Sequence, residues 1–244
     1  MTATRRPDSA SPPLDTSPEN LVNRLGPHAA SALDLDLDLD EGLGHWLVAS
    51  VLLGGRTREA VALDAFRRLA REGLAAPADL ARAGFADVQR CLDEAGVPKS
   101  ESVAAVLVRV CTALVRLHGG SIDGLVGGAD GLDDLAQRLS QLGAGFGKAA
   151  VLRFLTPVRE RWSASRDLPT SPAVLAAGRD LGWIPATQDE EGAPASLARR
   201  ASASGDVSTR DLEAALEKLG RAACLRERPD RCPLAGSCPK ARHA

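Results

Sequence analysis

The segment Leu139–Leu155, reading LSQLGAGFGKAAVLRFL, carries the residues whose types and spacing bear most directly on chemistry. A helix is predicted to end there. Gly145 and Gly147 then bracket one apolar residue, Phe146, and a second helix starts at once with Lys148. Glycines at such a turn admit positive φ and leave the backbone amides uncovered. Those amides, with the positive end of the following helix, form an anion site sized for a phosphate. Phe146 is expected to plug the turn into the core and fix its shape.

This is the construction of a helix-hairpin-helix element over residues 142–155, which holds a DNA phosphate without reading sequence. Charge points the same way. From Arg138 to Arg166 the cations Arg138, Lys148, Arg153, Arg159, Arg161 and Arg166 stand against Glu160 alone. The preceding stretch, Ser121–Gln137, has Asp123, Asp130, Asp133 and Asp134 and neither Lys nor Arg. A basic segment that begins at the turn is a reasonable duplex footprint. On the residues alone, an ordinary Gly-rich helix–helix turn remains the alternative.

A second constellation closes the chain: Cys224, Cys232 and Cys238, in a loop rich in Arg and Pro. Three thiols that close in sequence, in such a loop, are not explained by core packing. Zinc or an iron-sulfur cluster calls on four donors, usually thiolates. Asp230 and His243 are the candidates for the fourth, and a degenerate, empty site is the alternative. Cys91 and Cys111 instead sit on apolar helix faces and read as core thiols.

The elements that must position these groups read as helices. The 244 residues are 44% hydrophobic but only 3% aromatic, without Tyr, so the core is built from Leu, Val and Ala, a helix-forming composition. Net charge is −2, so any basic face must be local. No apolar run is long enough to span a membrane, and residues 1–20 lack a secretory apolar region; the cytoplasm is the expected compartment. Residues 1–30 are expected to be a disordered arm, 31–207 a helical core, and 208–244 a last helix and cysteine loop that pack with the first helix into a second lobe. The Leu-Asp alternation of Leu33–Asp40 reads as an acidic linker or a lead-in to a helix. Helices are expected near 43–53, 58–70, 78–83, around Val88–Leu92, from a cap at Ser100 to Gly119, and over 132–142, 148–155 and 172–181. A polar loop follows over 187–205, then a helix capped by Ser208. The fold class is all-α, nine to eleven helices in two lobes.

The ordered set of landmarks resembles the helix-hairpin-helix DNA glycosylase superfamily, in its endonuclease III-like branch. The landmarks are Leu52–Arg56 (LLGGR), His118-Gly119-Gly120, the Gly145-Phe146-Gly147 turn, Leu181-Gly182, and Gly220–Cys224 with Cys232-Pro233-Leu234 and Cys238. They span the chain from about Leu43 to Cys238. The resemblance implies two α-helical lobes with duplex DNA across a cleft and a damaged base flipped into it. It implies a monomer and a 4Fe-4S cluster on Cys224, Cys232 and Cys238. It makes Arg56, Lys99 and Arg153 candidates for cleft or phosphate contacts beside Gly145, Phe146, Gly147 and Lys148.

The family's lyase lysine falls two residues beyond the second hairpin glycine, which here is Ala149; Lys148 is one step early, about 100° round the helix. The family's aspartate aligns with Ser171, and Asp167 lies four residues before it. The resemblance therefore supports two functions. One is a DNA glycosylase or abasic-site lyase of base-excision repair, with Lys148 as nucleophile or Asp167 helping to activate water. The other is a catalytically degenerate relative that binds damaged or branched DNA without base removal. A helical protein-interaction module is the reading from a different class.

Overall fold

The computed structural model describes residues 16–54, 57–234 and 238, and those residues are helical with no strand among them. They divide into two compact units. One is contiguous, residues 28–169; the other joins the chain's first 27 residues to residues 170–244. No described helix is long and apolar enough to cross a membrane.

In the described part of the N-terminal segment, α1 (Pro18–Leu25) starts from Ser17, whose Oγ accepts from Asn20 N, with Pro18 at the first helical position. Residues 16–30 are therefore not an arm: Ser-Pro-Glu here is a helix start. Leu21 is buried against α13, described below.

The contiguous unit runs α2 (Ala29–Ala32), α3 (Asp40–Leu52), α4 (Glu59–Arg71), α5 (Pro77–Arg82), α6 (Phe85–Glu94), α7 (Ser100–His118), α8 (Ile122–Val126), α9 (Gly131–Ser140) and α10 (Lys148–Leu155). Two 3₁₀ turns, Thr156–Val158 and Ser163–Ser165, close it. From Gly42 to Leu52 only His45 escapes full burial, as expected of a helix that is apolar all round. Its Trp46 donates Nε1–H to the Phe154 carbonyl at 3.0 Å, tying α3 to α10. The long α7 packs on α3, α5 and α6, with Leu107, Val110, Cys111 and Leu114 fully buried. Cys91 and Cys111 are core thiols, and burial pushes Cys111 up to about 12.

Several local expectations change. Ser100 is the first residue of α7 rather than its cap; Lys99 holds that position at φ 55°, and the Ser100 hydroxyl bonds the Asp93 carboxylate instead. The Gly- and Asp-rich stretch before α9 contains α8, capped by Ser121 and by the Asp40 carboxylate, which accepts from Ile122 N and Asp123 N at 3.0 Å each. The Leu-Asp repeat is not a linker. Leu37 is buried and Leu33 and Leu35 pack on the core, while Asp34, Asp36 and Asp38 face water.

The other unit adds α11 (Pro172–Asp180), α12 (Ala193–Ser202) and α13 (Thr209–Ala222) to α1, then 3₁₀ turns at Cys224–Arg226 and Pro229–Arg231. The expected loop over 187–205 thus contains α12, whose Ala193, Leu197 and Ala201 are buried. The unit begins at Thr170, so α11 and α12 belong with α13 rather than with a core ending at 207. Close approach sets its packing: a Cβ at Gly220 of α13 would fall 2.0 Å from the Ala173 carbonyl oxygen of α11.

Candidate nucleic-acid interface

The hairpin lies in the contiguous unit. α9 ends at Ser140, α10 begins at Lys148, and Phe146 between them is 1% exposed, in the core as expected. The turn is seated on α7 through its glycines. Gly145 sits at φ +101°, and a Cβ there would come 2.5 Å from Val106 Cγ2. At Gly143 a Cβ would meet Arg109 Cδ at 2.9 Å, so the arginine stem lies where a side chain would. The Arg109 guanidinium donates to the Ala144 carbonyl at 2.7 Å.

Gly147 is the N-cap of α10, in ordinary extended backbone (φ −84°, ψ −175°), and no side chain caps the helix. The amides of Ala150 and Val151 both reach the Gly147 carbonyl, at 2.9 and 3.1 Å. Those of Gly147, Lys148 and Ala149 have no acceptor among the described residues, and all three residues are exposed. A helix whose first amides are uncapped and open to water is suited to an anion.

The basic segment is less free than its charge count suggests. Arg138 is bound to Asp134 and to the carbonyls of Gly127 and Gly128. Arg161 is paired with Asp123 at 2.7 Å and donates to the Leu37 and Asp38 carbonyls. Arg159 is buried, donating to the Leu168 carbonyl at 3.3 Å. Arg153 is half-buried, 3.5 Å from the Ser50 carbonyl near the C-terminal end of α3. Only Lys148 and Arg166 of the six are fully exposed. Lys99 is exposed at the start of α7, seven residues from Val106 and so about 10 Å along the helix from the hairpin's seat. Arg56 lies outside the described residues.

Of the catalytic candidates, Lys148 is an exposed amine on the first turn of α10. Asp167 is exposed in the loop after the second 3₁₀ turn, and no hydrogen bond or ion pair joins it to Lys148. Ser171 caps α11: its hydroxyl accepts from Val174 N at 3.3 Å and donates to the Glu217 carboxylate. Ser171 and Lys148 belong to different units.

In the other unit the cysteines line the second core. Cys232 and Cys238 are each 8% exposed and their thiols are hydrogen-bond neighbours, while the Cys224 thiol bonds the Asp180 carboxylate at the end of α11. Burial above all, then Asp180, pushes Cys224 up to about 12, and burial raises Cys232 as well. Asp230 is exposed, and His243 lies outside the described residues. Among the described residues no three His, Cys, Asp or Glu side chains form a group that could hold a metal ion. A 4Fe-4S cluster calls on four thiolates, and this donor set does not fit it as it stands.

Sequence reading missed two participants, Arg109 and Asp180. Arg109 is signalled only as a cation on the polar side of α7; the Asp180–Cys224 contact joins residues far apart in sequence and has no local signal. Comparison of the chain with protein-family models, with curated proteins and with solved structures gives no match.

Proposed function

We propose that the protein binds double-stranded DNA through the α9–α10 hairpin, as a base-excision-repair-type protein that recognises damaged or branched duplex. The observation that carries this reading is the uncapped start of α10. Its free amides stand on a turn locked by Phe146 and by the seating of Gly143 and Gly145 on α7. The order of the chain supports the two-lobed helix-hairpin-helix arrangement, since a contiguous helical unit carrying the hairpin is flanked by segments that join in a second unit. In this reading the hairpin amides and Lys148 hold a phosphate, which positions the duplex without reading its bases.

Base removal is the second reading, favoured by one observation: Lys148 is an exposed amine at that same helix start. Against it, Ala149 has no amine, and the Ser171 hydroxyl is committed to the α11 cap and Glu217.

Gly147→Asp tests the binding reading cleanly. The position has extended backbone, and nothing lies within 4 Å of a Cβ there. Asp is a favoured N-cap, so the fold is kept while a carboxylate takes the amides a phosphate would use. Anisotropy of a labelled duplex should show a loss on the order of tenfold, the scale of a charge-assisted contact. A folded variant that binds as well as wild type overturns the reading. Lys148→Ala should also weaken binding. Borohydride trapping on abasic-site duplex separates the two functions, because only an amine nucleophile leaves a covalent adduct. An adduct from wild type that Lys148→Ala loses would establish the lyase.

A further inference from the structure

The exposed face of α7 beside the hairpin carries a pair of cations that the hairpin reading does not use. Arg109 and Arg116 are seven residues apart, so they share a helical face about 10 Å apart along the axis. Both are exposed, and neither has a carboxylate partner among the described residues. Thr112 lies between them on that face, and Ser102 and Ala105 continue it, with Glu101 at its edge on the first turn. Arg67, Arg68, Arg82, Arg90, Arg138 and Arg161 of this unit are each within ion-pair distance of an Asp or Glu, whereas Arg58, Arg71 and Arg166, like Arg109 and Arg116, are exposed without an ion pair among the described residues.

Arg109 is also held in place. One guanidinium nitrogen donates to the Ala144 carbonyl at 2.7 Å, and the stem fills the space a side chain at Gly143 would occupy. A guanidinium has five N–H donors in a planar fork, so its remaining donors stay available beside the turn. Fixing the stem beforehand lowers the entropy lost when those donors engage an anion.

We infer that Arg109 and Arg116 form a second phosphate-contact track on α7, continuous with the hairpin, which takes the backbone of the same duplex. This rests on the duplex-binding reading and extends it to a second element, with Arg109 serving both as brace of the turn and as phosphate ligand. The occupant is a nucleic-acid backbone because the face repeats a positive charge and Arg109 is bonded to the same turn that carries the uncapped amides, so one polyanion engages both; exposed Leu117 and Glu101 lie at the edges of the face.

The test is the salt dependence of duplex binding by the full chain. Each phosphate contact contributes a slope of about −0.9 in log K against log salt. Arg109→Gln and Arg116→Gln should each flatten the slope by about 0.9, and the double variant by about twice that. Arg109→Lys keeps the charge and should keep the slope, which a purely structural brace would not require. Arg221→Gln, in the other unit and paired with Glu217, should leave the slope unchanged. Unfolding midpoints of the variants establish that the fold is intact. Unchanged slopes in folded Arg109→Gln and Arg116→Gln, with Gly147→Asp still weakening binding, overturn the track and leave the hairpin reading standing. Failure of the wild type to bind duplex overturns both.

Discussion

Gly145→Ala should unseat the hairpin, and the geometry lets its cost be divided. At φ +101° the residue lies beyond the left-handed well, and an L side chain there costs about 1–3 kcal/mol in backbone strain. The new methyl would also stand 2.5 Å from Val106 Cγ2, so one of them must move. Val106 is β-branched in the middle of α7, with one strongly preferred rotamer, so the movement falls on the turn or on the packing. Overpacking of that kind costs a further ~1–3 kcal/mol. The sum, about 2–6 kcal/mol, is a large part of a typical domain stability of about 5–15 kcal/mol. Gly147→Ala is the control two residues on: ordinary φ and open space predict a change within about 1 kcal/mol, a poorer N-cap offset by a less flexible unfolded chain. In the double variant Gly145→Ala/Val106→Ala the contact is relieved while the strain stays, so a coupling of about 1–3 kcal/mol is expected. Urea unfolding followed by helical circular dichroism reads the wild type, the three single variants and the double variant. Equal stability of Gly145→Ala and Gly147→Ala, or strict additivity with Val106→Ala, would refute the seating of the turn on α7.

Two further outcomes follow from groups outside the hairpin. The Asp123 carboxyl is held below its usual range, first by the Arg161 hydrogen bond and then by Trp162 and the Arg161 charge. A depressed folded pKa means that this stabilisation is complete above the unfolded value near 3.9 and is lost as pH falls through the folded one. Asp123→Asn should therefore cost on the order of 1 kcal/mol at pH 7, kept small because the group is half-exposed, and the difference from wild type should shrink below pH ~4; a difference constant down to pH 2 would contradict the pairing. Metal analysis of protein purified under low oxygen tests the cysteine loop: stoichiometric iron with absorption near ~400 nm, lost in Cys238→Ser, would show that the loop completes a cluster, and iron-free protein would refute the cluster that the resemblance implies.

Helices that bury a regular apolar face were legible in the sequence. α10 has the bounds read from its pattern, and α7 differs only at its cap, where Lys99 takes the left-handed position and frees Ser100 to bond Asp93. The helices that were not legible are those whose packing leaves little hydrophobic signature. α12 turns Ala193, Ser196, Leu197 and Ala201 inward, and in this unit small residues serve close approach as bulky ones serve burial elsewhere. α1 carried its signal in plain view, a Ser cap with Pro and Glu in the first turn, but the same Ser-Pro step also marks a disordered arm, and composition alone does not separate the two. The Leu-Asp repeat has a period-two pattern without a strand: its leucines face the core from an irregular segment held at Asp38 by Arg161.

The limits of the site reading have the same origin. The turn between two helices is legible, because the glycines break the helical pattern and Phe146 is the apolar residue left to bury between them. The charge around it was misread, because a count of arginines takes no account of partners distant in sequence. Arg161 and Arg138 add to the basic segment in sequence, but Asp123, Asp134 and the carbonyls after α8 are placed against them. Paired charges of this kind stay where they are, since a phosphate would have to displace bonds already made, whereas Arg109 and Arg116 have no carboxylate to give up. The cations open to an anionic partner are thus those that folding leaves without a counterion, and Arg109 and Arg116 on the polar side of α7 are two of them.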